Sequence, residues 1–214
     1  MNKKKNILLV GGGDFTRKVI KLLAQFDEYN IIGYTDIENK GSLFDVEFLG
    51  QDKIASKLIQ MYPGLGVIVC IVGNLILLKK KNDLINKYSS LGATFPSIVS
   101  KNAYVDTDSI IGKGVIIFDN AHIDFESDIS DFCVINLDTL IGHHVKVGRN
   151  TIISPKSIIG GRTVLGENCF IGMNSTLNAS INITHNVVIG AGTNVYKNID
   201  VPGTYVSTNK LIRL

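Results

Sequence analysis

From Val99 to Val201 every sixth residue is Val, Ile or Leu, eighteen positions in succession. The run passes through Ile111, Ile135, Ile159 and Ile183. A period of six fits neither the 3.6-residue helix nor the 3.5-residue coiled coil, and the β-branched content favours strands. A fixed repeat of this length is the mark of a solenoid, here a parallel β-helix. Three hexads close one triangular coil, so the run holds about six coils. Stacked one strand spacing apart, they make a prism roughly 25–30 Å long.

A second register supports the first. Four residues after each aliphatic come small side chains such as Ala121, Ser127, Cys133, Thr139, Thr151, Ser157 and Cys169, as a narrow interior demands. Glycine often follows the aliphatic directly, at Gly112, Gly142, Gly148, Gly160, Gly166, Gly172 and Gly190. These glycines are expected to supply the unusual backbone angles of the corners. Each inward aliphatic contributes roughly 1.5–3 kcal/mol of burial. No hexad carries an insertion, which predicts smooth faces and no long external loop.

The remaining residues read as a different kind of domain. Residues 1–98 alternate strand and helix, which implies a parallel sheet and a Rossmann-like α/β fold; residues 99–214 form the β-helix. Ile7-Leu8-Leu9-Val10 is a buried strand, Gly11-Gly12-Gly13 a turn, and Thr16 to Phe26 a helix. A second strand, Ile31 to Tyr34, ends at Asp36; later come helices over Ile54–Gln60 and Leu75–Tyr88, with a strand at Gly66–Val72 between them.

Composition excludes several classes. With 22 basic and 19 acidic residues the formal charge is +3, too mild to argue for nucleic acid. No segment is long and apolar enough for membrane insertion, and Lys3-Lys4-Lys5 is not followed by a signal core. Cys70, Cys133 and Cys169 read as reduced packing residues of a cytoplasmic protein.

Four features carry possible chemistry. A strand, a glycine turn and a helix place backbone N–H groups where a phosphate can sit, and a carboxylate at Asp36 can accept from a ribose or a base. The dinucleotide fingerprint is incomplete, because Thr16 stands where its third glycine belongs, so a purely structural turn stays open. His143-His144 falls where side chains leave the prism; an accessible imidazole can take a proton, or simply be solvated. Asn136 can contact a ligand or cap a corner in an asparagine ladder. Gly160-Gly161 stacks one coil beyond His143, since 161 − 143 = 18, leaving a slot for a thin ligand arm or merely a tight corner. His122 and His185 lie on other coils, and no spacing suits a metal.

Taken together, these residues resemble the bacterial sialic acid O-acetyltransferase-like family. That group includes N-acetyltransferases of nucleotide-linked 4-amino-4,6-dideoxy sugars. The resemblance runs through Val10-Gly11-Gly12-Gly13-Asp14, Gly33-Tyr34-Thr35-Asp36, Val69 to Asn74, Asn136 seven residues before His143, Gly160-Gly161, and Asn168 to Gly172. It implies a left-handed β-helix and a homotrimer that binds acetyl-CoA between neighbouring prisms and serves surface-glycan (lipopolysaccharide) biosynthesis. It assigns His143, with His144 beside it, to catalysis, and Asn136 to acceptor placement. Gly11, Gly12, Gly13, Asp14, Asp36, Gly73 and Asn74 would contact the nucleotide sugar. Gly161, Gly190, Ala191 and Lys210 would bind the cofactor.

The chain departs from the family pattern in places. The residue after the base is commonly acidic but is His144 here, so Asp138 substitutes or the base is weaker. A histidine common nine positions further on is Ile152, and the usual Gly-x-Pro-Ala before the terminal lysine reads Val206 to Asn209. The leading expectation is N-acetylation of a nucleotide-linked amino sugar. O-acetylation of a sialic acid or related sugar, and a non-catalytic binding prism, are the alternatives.

Overall fold

The computed structural model describes residues 4–207. They form two compact units that divide between Ser100 and Lys101.

The first unit is built on a four-stranded parallel sheet of order β3-β2-β1-β4, with β1 Lys5–Val10, β2 Tyr29–Thr35, β3 Phe48–Gly50 and β4 Gly66–Val69. Leu8, Leu9 and Val10 are all buried, as in a strand covered on both faces. Helices α1 Asp14–Leu23, α2 Ala55–Met61 and α3 Leu75–Ser90 connect and flank the strands. The elements expected from the sequence are present with shifted ends, except that β3 has no strong apolar run and escapes detection. Thr16 explains the incomplete glycine fingerprint. It is fully buried, and its hydroxyl donates to the Gly11 carbonyl at 2.6 Å, tying the turn to the first helical residues.

The second unit is a three-sheet parallel β-helix. Two-residue strands pair with partners eighteen residues away: Val134 with Ile152, Leu140 with Ile158, Lys146 with Val164. The inward aliphatics from Ile117 through Ile189 are almost wholly buried. The small second register does more than save space. Ser127, Cys133, Thr151, Ser157, Thr163, Cys169 and Ser175 each donate to the carbonyl fifteen residues ahead, at 2.8–3.2 Å. Polar groups buried in the interior are thereby satisfied.

Three expectations about the prism need correction. The corner residues with positive φ lie three places after the aliphatic, at Gly114, Asn120, Glu126, Phe132, Asp138, His144 and onward in sixes to Gly192. The glycines directly after the aliphatics have another purpose. A Cβ on Gly148 would lie 2.5 Å from backbone of the next coil, and one on Gly160 or Gly172 equally close. These positions admit close coil contact, not a special angle. Secondly, the asparagine ladder runs along a corner, with Asn150 donating to Asn168 at 2.9 Å, and Asn136 is no part of it. Thirdly, the repeat slips at its end. Val201 is 65% exposed, and Ile199 takes the inward place, bridging to Ile183 sixteen residues earlier.

Candidate functional site

The prism places its functional side chains by coil arithmetic. Residues eighteen apart stack, so Phe125, His143 and Gly161 form one column and Glu126, His144 and Arg162 the next. The Phe125 ring lies against the His143 imidazole, centroids 5.2 Å apart and planes 12° from parallel. It meets His144 edge-on at 5.4 Å and 76°. On the far side of His143 a Cβ added to Gly161 would come within 2.9 Å of Nε2. The absence of a side chain at 161 therefore leaves the Nε2 side of the ring open.

The other ring nitrogen is engaged. His143 Nδ1 lies 3.0 Å from His144 Nδ1, and His144 Nε2 lies 2.7 Å from Glu126 Oε2. The backbone supports this stack, with His144 N donating to Phe125 O at 3.0 Å and Arg162 N to His143 O at 2.9 Å. Asp138 does not substitute for the missing acidic neighbour. It sits at its own corner and accepts from Asn120 at 3.1 Å. Sequence reasoning missed Glu126, although 144 − 126 = 18 is the same arithmetic that placed Gly161.

The remaining prism candidates occupy a different edge. Asn136 follows the sheet that contains Val134-Ile135, whereas His143 follows the sheet that contains Leu140-Ile141. Gly190 lies three coils along the Asn136 edge, with Ala191 beside it. Within one chain, His143 and Gly161 share one edge while Asn136, Gly190 and Ala191 share another. Asn136 is buried, and Ile152, also buried, brings no hydrogen-bond donor. Lys210 lies outside the described residues.

The α/β unit has its own cavity, of about 300 Å³, at the carboxyl ends of β1, β2 and β4. Sequence order reverses between β1 and its two neighbours there, the place where open parallel sheets take ligands. Gly11, Gly12, Gly13, Asp14 and Asp36 all line it, and Lys80 adds a cation. Gly11 has φ 112°, and a Cβ there would press on the Cys70 carbonyl at 3.0 Å. Gly13 leads into α1 without a side-chain cap, so the positive end of the helix dipole faces the cavity. Asp36 accepts from Gly12 N at 2.5 Å and from Glu38 N at 3.2 Å, so it shapes the turn as well as facing the cavity.

Gly73 and Asn74 fall between Val72 and Leu77, which line the cavity, and are not themselves among its lining residues. Asn74 caps α3, its side chain accepting from Leu77 N at 3.2 Å. The three thiols are buried and unpaired by disulfides. Burial pushes Cys70 up to about 12 and Cys169 up to about 11. Among the described residues no group of three or more His, Cys, Asp or Glu side chains is placed to hold a metal, and no helix is long and apolar enough to cross a membrane.

Comparison with known proteins bears on the fold. The family described as hexapeptide repeat of succinyl-transferase matches residues 162–197. The acetyltransferase domain of PglB from Neisseria gonorrhoeae FA1090, in complex with acetyl coenzyme A, superposes with a TM-score of 0.88 at 22% identity, covering 95% of this chain and 97% of that one. PerB from Caulobacter crescentus, in complex with CoA and GDP-perosamine, gives 0.87 at 22% identity over 94% of each chain. The chain shares the fold of these two proteins. WeeI from Acinetobacter baumannii AYE is a more distant match, with a TM-score of 0.63 at 15% identity over 95% and 97%. No curated protein matches the chain.

Proposed function

We propose that this chain transfers an acetyl group from acetyl-CoA to the amino group of a nucleotide-linked 4-amino-4,6-dideoxy sugar. The observation that carries this reading is His143 Nε2, facing the opening left by Gly161 in a fold shared with PerB, which binds CoA and GDP-perosamine. In the reaction the sugar amine attacks the thioester carbonyl and Nε2 takes the amine proton. The tetrahedral intermediate then collapses, the C–S bond breaks, and the proton passes from Nε2 to the departing sulfur. No metal takes part. A bound imidazole pair with a carboxylate behind it supports catalysis over a purely binding prism.

The two-edge distribution supports a homotrimer. A neighbouring prism related by an axis parallel to the coil stack keeps every residue at its own height. Asn136 of one copy then lies level with His143 of another, and Gly190-Ala191 of the first flanks the same groove as Gly161 of the second. Acetyl-CoA would run along that groove, with Lys210 toward its outer end. A Rossmann-like α/β unit would hold the nucleotide in the cavity at Gly11–Asp14 and Asp36, with phosphates on the α1 N-terminus and Lys80. We place the reaction in cytoplasmic synthesis of surface glycan precursors.

The test is thiol release from acetyl-CoA against nucleotide-linked 4-amino sugars, GDP-perosamine included, each paired with its 4-hydroxy analogue and each product weighed by mass spectrometry. Acetylation of the amines alone is expected. Acetylation of hydroxyl acceptors or sialic acid instead would move the reading to O-transfer.

A further inference from the structure

We infer that Glu126, acting through His144, holds His143 in the tautomer that leaves Nε2 free as a base. The inference rests on the reading of His143 as the base and adds the residues that prepare it. An ionised carboxylate 2.7 Å from His144 Nε2 accepts a hydrogen bond, so that nitrogen carries a proton. Neutral His144 then has a lone pair on Nδ1. With both imidazoles neutral, His143 Nδ1, 3.0 Å away, is the donor in that contact. A neutral imidazole carries one N–H, so His143 Nε2 is left with a lone pair on the side opened by Gly161. When Nε2 gains the amine proton, the charge on His143 is met by the His144 lone pair and, behind it, by Glu126.

The fold makes this relay where the adjacent acidic residue is missing. His144 and Glu126 both occupy positive-φ corners, at 58° and 52°, one coil apart, so their side chains leave the prism in the same direction. Phe125 contacts both imidazoles, one by its face and one by its edge, and limits their rotation. Glu126 and His144 are therefore positioning residues, while His143 alone touches the reacting atoms. The carboxylate that the resemblance puts beside the base has moved one coil back, with an imidazole bridging the gap.

The test uses the full chain labelled with nitrogen-15 in its histidine rings. Wild-type protein should show His143 protonated at Nδ1 and His144 at Nε2. Glu126→Asn suits the corner backbone but is too short to reach His144, and should give mixed tautomers at both rings. Its kcat should fall about 10- to 100-fold with the KM for acetyl-CoA unchanged. Adding His144→Glu to Glu126→Asn sets a carboxylate directly beside His143 and should restore kcat to within about threefold. Glu already occupies such a corner at position 126, so the double variant should fold.

Wild-type His143 protonated at Nε2, or unchanged tautomers and kcat in Glu126→Asn, would overturn the relay. The tautomer measurement decides it even if the sugar panel gives no turnover, an outcome that would instead overturn the acetyltransferase reading.

Discussion

The prism and the α/β unit carry function in opposite ways. In the prism, position in space is a simple function of position in sequence, because each coil before the last takes eighteen residues and stacks residue on residue. In the α/β unit the cavity is assembled from Gly11–Asp14, Asp36, Cys70–Val72 and Lys80, segments joined by helices and loops of unequal length. A periodic fold allows contacts to be read by subtraction. An aperiodic one requires the sheet order first.

The sharpest way to test this difference is to break the period. One alanine inserted between Val164 and Leu165 moves an inward side chain to the outer face. It should cost about 2–5 kcal/mol in urea unfolding, as for loss of a core aliphatic. The same insertion between Asp27 and Glu28, in an exposed turn of the α/β unit, should cost no more than about 1 kcal/mol. Equal costs would mean that the period does not govern the prism's stability.

Two glycines of the prism should then separate catalysis from packing. Gly161→Ala places its Cβ against the tip of the His143 ring, which can turn aside, so stability should hold while kcat/KM falls about 10- to 100-fold. Gly148→Ala meets backbone instead, and should cost about 1–3 kcal/mol of stability. In the α/β unit, Asp36→Ala removes the acceptor for Gly12 N and should raise the KM for the nucleotide sugar about tenfold, leaving that for acetyl-CoA alone.

The smallest effect concerns alkaline stability, to which both units contribute. Cys70 and Cys169 hold their protons more tightly when folded than at the ordinary value of 9. Their contribution is complete below pH 9 and is lost as pH rises through about 11 for Cys169 and about 12 for Cys70. Thermal melts from pH 8 to 11 should show a falling Tm, and Cys169→Ser should flatten the slope.

Legibility followed the same division. Eighteen aliphatics predicted three sheets, and subtraction set Gly161 beside His143. Where the repeat lost its period, at Ile199 and Val201, the sequence pattern misled, because Val201 kept the spacing by coincidence while the last coil closed two residues early. A glycine after each aliphatic suggests a corner angle, but glycine serves both unusual φ and close approach, and the sequence alone does not distinguish the two. In the α/β unit the turn and Asp36 were legible from a strand–glycine–helix pattern. Gly73 and Asn74 enter only through the resemblance of the stretch from Val69 to Asn74, and no pattern in the residues themselves separates a ligand contact from a helix cap. Asn74 satisfies the first turn of α3.

The most direct test of the account is a comparison of His143→Ala with wild type for acetyl transfer to a nucleotide-linked 4-amino sugar, with CoA affinity measured by calorimetry on both. The account predicts a kcat lower by about 10³-fold with CoA affinity unchanged. A rate near that of wild type would contradict it, and would take the acetyl-transfer centre away from the His143 edge.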